Sequence, residues 1–164
     1  MRPAGIAAAL AVAYLGAAGA GSLDTALGRQ VLPRADAPAL AVARTPRGHY
    51  VLHCAGCHRA DGSGAPERYV PDLRSLGRFL AVDGGREFLI GVPGVMGSGL
   101  DDAQVAEVAN WLLATMARDI LPEGHLPYTA AEVAAVRLRP MRDVAAVRHR
   151  LVEQARARGL PPID

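Results

Sequence analysis

The sequence predicts an all-helical protein, and three observations support this fold class. Residues typical of helix starts recur along the chain, at Thr45, at Asp101 with Gln104, and at Thr129 with Glu132. Apolar side chains between positions 105 and 116 recur at helical spacing. No strand pattern precedes the paired cysteines at positions 54 and 57, and no strand–helix–strand unit surrounds them.

The first 20 residues have the features of a secretory signal peptide. A positively charged start at Arg2 precedes an apolar stretch over 6–15, and the small residues at 18–20 are typical of a cleavage site. We therefore expect a periplasmic protein. With its Ala/Gly run the apolar stretch approaches the roughly 20 residues of a spanning helix, so a retained segment would act as a membrane anchor. Residues 21–44, rich in Ala, Leu and Pro without periodicity, are predicted to be a linker or loosely ordered lead-in.

Composition sets limits on the remaining chain. The whole sequence has 164 residues and a formal net charge of +2, and loss of Arg2 with the signal peptide would reduce that charge by one. A nucleic-acid-binding protein normally has a basic excess, so we expect no nucleic-acid partner. Only seven residues are Phe, Trp or Tyr. A small chain so poor in aromatic residues would gain from a large apolar cofactor at its centre.

The first predicted element is a short helix that begins at Thr45-Pro46, a hydroxyl cap followed by a first-turn proline. It places Tyr50 one turn before Cys54, on the same face. Cys54-Ala55-Gly56-Cys57-His58 then has the pattern of a c-type haem attachment site. Two thiols three positions apart lie on one side of a helical turn, where they can form thioethers with the two haem vinyl groups. His58 can reach the iron from that side.

Two other interpretations of this motif stay open but have less support. A zinc site needs four ligands, and the only two cysteines would have to recruit histidines at no recognisable spacing. A thioredoxin-like dithiol normally follows a strand within a βαβ unit. His49, His53, His125 and His149 are expected to be surface or packing residues, and His53 is expected to face away from the haem side.

The chain between the motif and the last predicted helix of this region contains two loops and two helical pieces. Residues 61–66 form a loop by composition. Helical pieces are predicted over 71–80 and over 84–91, the second with Asp83 as its cap and Gly91 as its stop. A second loop, 92–99, holds a single methionine, Met96, among one proline and three glycines. Such a backbone can turn sharply towards a metal.

The clearest helix follows, capped by Asp101 and Gln104, with Trp111 beside its apolar stripe. Met116 lies on that stripe and is expected to fill the core. Beyond residue 118, a turn-rich connector leads to a helix capped by Thr129 and Glu132, which Pro140 interrupts. A second helical stretch is predicted from about 141 to 158.

These features together resemble the class I c-type cytochromes over residues 45–118. The resemblance lies in residues spread through that region: Tyr50, Cys54, Cys57, His58, Gly62, Gly64, Pro71-Asp72-Leu73, Phe88-Leu89-Ile90, Met96 and Trp111. It implies three to five helices around one covalently bound haem, with the first and last helices crossing. It also implies that Cys54 and Cys57 form the thioethers, that His58 and Met96 are the axial iron ligands, and that the Pro71 carbonyl accepts the other ring N–H of His58.

By the same resemblance we expect an electron carrier with one haem c and not a stand-alone enzyme. Its partners would be redox proteins: an exported dehydrogenase as donor, or a terminal oxidase or another cytochrome as acceptor. Met116, Met141, a histidine or an open position stay as alternatives to Met96, and with them a haem-based sensor or small haem enzyme. The expected organisation is 1–20, 21–44, 45–118 and a helical C-terminal extension, 119–164. Its seven arginines between 137 and 158 either cover the domain or dock an acidic partner.

Overall fold

A computed structural model describes residues 41, 42 and 44–163. The predicted signal peptide, 1–20, and nearly all of the lead-in, 21–44, lie outside the described residues. The prediction of an all-helical fold is confirmed, because the described part of the chain contains no β-strand. Its nearest approach to one is an isolated antiparallel bridge between Ala65 and Val70.

The helices follow one another closely along the chain. The α-helices are α1 (Pro46–His53), α2 (Ala55–His58), α3 (Gly85–Gly91), α4 (Pro93–Met96), α5 (Asp102–Met116), α6 (Ala130–Arg137) and α7 (Val144–Ala157). Three 3₁₀ helices stand between them: Pro66–Arg68, Leu73–Ala81 and Arg118–Ile120. No helix among the described residues is long and apolar enough to cross a membrane.

The three predicted caps are confirmed. The Thr45 hydroxyl accepts a hydrogen bond from the Gly48 N–H at 3.0 Å, and Pro46 occupies the first turn of α1. A reciprocal capping box of Asp101 and Gln104 begins α5. An equivalent box of Thr129 and Glu132 begins α6. Each cap satisfies backbone N–H groups that the first helical turn leaves without an intrahelical partner.

Two boundary predictions were wrong. Gly84, not Asp83, caps α3; its φ of +86° allows the chain to turn sharply into the helix. The Asp83 carboxylate instead accepts a hydrogen bond from Arg158, 2.6 Å away. The second helical stretch of the extension begins at Val144, not at residue 141, because Asp143 caps it through the Ala146 N–H.

The helical piece predicted over 71–80 is the nine-residue 3₁₀ helix Leu73–Ala81. The Asp72 carboxylate accepts the Arg74 N–H at its start. Likewise the loop predicted over 92–99 contains a single helical turn, α4, which begins at Pro93. Both deviations concern tight turns, whose type depends on contacts that local composition does not specify.

Two apolar clusters form the interior. In the first, α1 packs on α5, and the rings of Tyr50 and Trp111 lie 5.3 Å apart. Val105, Val108 and Leu112 of the predicted apolar stripe are buried there. In the second cluster, α7 packs against α3 and the Leu73–Ala81 helix. The buried members of this second cluster are Phe79, Val82, Phe88, Leu151, Ala155 and Ile163.

Candidate haem-binding site

A cavity of about 350 Å³ opens between α2, α3, α4 and α5, and most of its lining is apolar. One wall contains Cys54, Cys57, His58 and Pro71. Helix α5 supplies a second wall, with Val105, Val108, Ala109, Leu112 and Leu113. The structure therefore brings both predicted thiols and His58 together at the edge of a space that suits a large apolar group.

His58 is oriented by a backbone carbonyl. Its Nδ1 lies 3.1 Å from the oxygen of Pro71. With Nδ1 donating its proton to that carbonyl, Nε2 is the ring nitrogen whose lone pair is free for a metal. The approach depends on Gly64, because a Cβ there would collide with the Pro71 carbonyl, and because Gly64 has a φ of +67°.

The chain turns abruptly directly after His58. Arg59 has a φ of 61° and a ψ of 166°, a combination that side chains other than glycine rarely adopt. The hydroxyl of Tyr50 donates a hydrogen bond of 2.7 Å to the Arg59 carbonyl and holds this turn. Tyr50 is fully buried, and this burial, with Cys54 and Asp61 nearby, raises its pKa. The phenol therefore stays a donor at neutral pH.

The two cysteines form no disulfide, and their surroundings differ. Cys54 is half-buried, and burial raises the pKa of its thiol, whereas Cys57 is exposed. His53, which was expected to face away from the haem side, is among the residues that line the cavity.

Met96 ends the one-turn helix α4, between two residues that line the cavity, Val95 and Ser98. Its own side chain is half-buried and packs against the first apolar cluster. Met116 fills the core, as expected of a methionine on the stripe: its Sδ would lie 2.7 Å from a Cβ placed on Gly62. Met96, Met116 and Met141 are all absent from the cavity lining.

One cavity residue was missed by the sequence analysis. Tyr128, from the C-terminal extension, lines the cavity and is 4% exposed. Its hydroxyl donates to the Arg86 carbonyl at 2.9 Å, and the Arg86 guanidinium lies 4.1 Å from its ring centroid. In the sequence, Tyr128 is recognisable only as an aromatic residue directly before the Thr129 cap. Such a residue often packs against its own helix and so does not by itself indicate a cavity residue.

Arg86 also forms an ion pair with Glu132, and we expect this pair to make the fold sensitive to acid. The hydrogen bond with Arg86, helped by Thr129, lowers the pKa of Glu132 from 4.5 to about 2. A carboxylate whose pKa is lower in the folded state stabilises the protein fully above its unfolded pKa, and that contribution disappears as the pH falls through the folded value. We expect wild-type protein to exceed Glu132→Gln in stability at pH 7, with the difference vanishing between about pH 4.5 and pH 2.

Urea unfolding of both proteins at pH 7, 4 and 2.5 measures this difference. The arrangement of hydrogen bonds assigned above would be contradicted by a difference that stays constant or widens towards pH 2.5. Gln at position 132 can still complete the capping box with Thr129, so the comparison isolates the charge.

Within residues 41, 42 and 44–163, no three His, Cys, Asp or Glu side chains gather as a metal site would require. The zinc interpretation of the cysteine pair therefore finds no ligand set in this part of the chain.

Comparison with known proteins identifies the family. No protein-family model matches the chain. A cytochrome c-552 of Thermus thermophilus is 31% identical over 120 residues, which cover 62% of this chain and 81% of that protein. A second cytochrome c-552 of Thermus thermophilus is 32% identical over 106 residues, 54% of this chain and 81% of its own. The paired cysteines, the all-helical fold and these relatives together show that the chain belongs to the c-type cytochromes, with the class I fold and covalently bound haem c.

Proposed function

We propose that this protein is an exported, single-haem cytochrome that transfers electrons between redox proteins, with His58 and Met96 as axial ligands. One observation supports this proposal above the others. A cavity with a mainly apolar lining has Cys54, Cys57 and His58 on a single wall, and a carbonyl fixes the proton of His58 on Nδ1. This arrangement provides what a covalently held, histidine-ligated haem needs.

The described residues fit the cofactor. Cys54 and Cys57 would hold it through thioethers, and His58 would bind its iron through Nε2. The apolar side chains of α3 and α5 would cover its faces. When bound, haem c supplies a one-electron iron couple. The side chains around it exclude water, and the Pro71 carbonyl keeps the His58 proton on Nδ1 so that the imidazole stays in one orientation.

Met96 is the best candidate for the second axial ligand. Helix α4 places it beside Val95, and Ser98 follows one residue beyond Gly97; both neighbours line the cavity. Met116 packs at Gly62, and Met141 lies with the second cluster near Gly91, whereas only Met96 has neighbours in sequence that line the cavity on both sides. Ligation by Met96 together with His58 would favour reduced iron and raise the potential, which suits a carrier.

Export rests on the signal-peptide pattern of residues 1–20, and a periplasmic location on the same pattern. The proposed partners are an exported dehydrogenase as donor, or a terminal oxidase or another cytochrome as acceptor. Transient redox complexes of this kind use small interfaces.

A second candidate function is a haem-based sensor, or a small haem enzyme, with a labile or open distal position. The position of Met96 favours it: the side chain packs against the first apolar cluster and is not itself part of the cavity lining. A ligand with an alternative packing site in the core would be exchangeable.

Substitution of Met96 distinguishes the two functions. We expect ferric wild-type protein to show the weak long-wavelength band of a sulfur–iron bond and to bind carbon monoxide poorly when reduced. Met96→Ala should lose that band completely and bind carbon monoxide readily, because the sixth position is then open. Absorption spectra of the ferric and the carbon monoxide-treated ferrous proteins measure both effects.

Met116→Leu is the matched control, since it removes a core methionine with little change in volume and should leave the band intact. Ready binding of carbon monoxide by the wild-type protein would favour a sensor or an enzyme over an electron carrier. A band that survives in Met96→Ala would show that another residue is the ligand.

A further inference from the structure

Tyr128 connects the haem cavity to a charged group that does not itself line the cavity. Among the described residues, it is the one cavity-lining side chain that the extension contributes. Two hydrogen bonds with the Asn110 side chain fix its backbone: Asn110 Nδ2 donates to the Tyr128 carbonyl at 2.9 Å, and the Tyr128 N–H donates to Asn110 Oδ1 at 2.7 Å. Because α5 carries Asn110, the ring is held against the same helix that forms one wall of the cavity.

The charge on the other side of that ring belongs to Arg86. Its guanidinium stacks over Tyr128 at 4.1 Å from the centroid, yet Arg86 does not line the cavity. Two backbone carbonyls orient it, those of Leu126 at 2.7 Å and Pro127 at 2.9 Å. A positive charge is therefore fixed one side chain away from the cavity.

Glu132 balances this charge. Its carboxylate accepts two hydrogen bonds from Arg86, of 2.7 Å and 3.2 Å, so that the pair is bidentate. The two side chains are about a quarter to two fifths exposed, which weakens their effect at a distance without abolishing it. Glu132, whose pKa is near 2, stays charged at neutral pH, and burial raises the pKa of the Tyr128 phenol, which stays neutral. His125, whose ring centroid lies 6.4 Å from that of Tyr128, is another titratable group on this side, and burial and the nearby Arg86 lower its pKa.

We propose that the Arg86–Glu132 pair, acting across Tyr128, sets the electron affinity of the haem: Arg86 raises the midpoint potential and Glu132 lowers it. The inference rests on the proposed function, in which the cavity holds the redox centre. Oxidised iron has one more positive charge than reduced iron. A nearby guanidinium therefore destabilises the oxidised form, and a nearby carboxylate stabilises it.

Single substitutions that remove each charge test the proposal. Redox titration of the purified holoprotein should give a lower midpoint potential for Arg86→Gln and a higher one for Glu132→Gln than for wild type. Arg86→Lys, which keeps the charge but loses the planar fork, should stay closer to wild type than Arg86→Gln does. The sulfur–iron band of each variant reports whether ligation is unchanged.

A second ion pair supplies the control. Arg158 and Asp83, 2.6 Å apart, also join the extension to the haem region, but neither lines the cavity, and the polar partners of Tyr128 are Arg86 and Asn110 instead. Arg158→Gln and Asp83→Asn should move the potential less than the corresponding changes at Arg86 and Glu132. The proposal is overturned by shifts of the same sign at Arg86 and Glu132, by shifts no larger than the controls, or by equal shifts in Arg86→Gln and Arg86→Lys.

Failure of the proposed function would be distinct from failure of this inference. A wild-type protein that carries no covalent haem would fail before any titration, in its absorption spectrum and in its haem content after denaturation. If the wild-type protein carries covalent haem but substitution of Arg86 or Glu132 leaves the midpoint potential unchanged, only the charge effect is refuted.

Discussion

Cys54→Ala combined with Cys57→Ala is expected to abolish covalent haem completely. Without thioethers the cofactor should be lost on denaturation and extraction into acid acetone, whereas the wild-type protein should keep its pigment through the same treatment. The effect on folding should also be large. An apolar cavity of about 350 Å³ left empty would cost on the order of 8 kcal/mol if its walls did not collapse. Whole domains are stable by only about 5–15 kcal/mol.

His53→Ala is the matched control, because His53 neighbours the motif and lines the cavity but supplies no thiol. It should keep its haem. Measurement of haem content and far-ultraviolet circular dichroism for each protein checks both parts of the prediction. Pigment that resists extraction from the double variant, or that leaves the wild-type protein, would contradict thioether attachment at these residues.

Leu151→Ala is expected to destabilise the protein by about 2–5 kcal/mol, the range for removing a buried leucine side chain from a packed core. Leu151 has no exposed surface and packs in the second cluster with Phe79 and Phe88. Leu138→Ala is the control: Leu138 is 84% exposed in the same extension, and its loss should change stability by less than about 0.5 kcal/mol. Urea unfolding of the holoproteins measures the difference.

The same reasoning predicts a severe effect of truncation after Arg118. Removal of the extension would expose Phe79 and Phe88, and remove Tyr128 from the cavity. We expect a marked fall in melting temperature and little change in how electron-transfer rates depend on salt. A truncated protein as stable as the full chain would show that the extension is not a cover. Slower and less salt-sensitive electron transfer would favour the docking role.

The arginines of the extension favour the role of a cover. Arg137 forms an ion pair of 2.6 Å with Asp102, and Arg158 forms one with Asp83. Arg156 pairs with Glu153, and Arg148 lies 5.9 Å from the centroid of Phe79. Four of the seven arginines between 137 and 158 thus make contacts within the described fold. An arginine engaged in this way contributes less to steering a partner.

Structural features that depend on residues within one helical turn of each other could be predicted from the sequence. The Thr45 cap and both capping boxes depend on residues three positions apart, so their geometry follows from local spacing alone. The buried stripe of α5 is predictable for the same reason. Gly84 is different, because its positive φ is set by how α3 packs after the 3₁₀ helix, and Asp83 offered an equally reasonable cap.

Features of the cavity that join distant segments could not be predicted in this way. Cys54, Cys57 and His58 are adjacent in sequence, and their motif indicates their chemistry directly. Asn110, Arg86 and packing in the first cluster hold Tyr128 at the cavity, and no sequence spacing encodes those contacts. The place of His53 on the cavity lining was likewise not predicted from its position next to Cys54.

Tyr128 comes from the C-terminal extension, and this position in the sequence also bears on the order in which the cavity forms during folding. Contacts between segments far apart in sequence form late in folding, since a long loop must close before they are gained. The Cys54–His58 turn is local and can form early, whereas Tyr128 and Val133 join the first cluster from the other end of the fold. We therefore expect both thiols and His58 to stay accessible until the long-range contacts that close the cavity have formed.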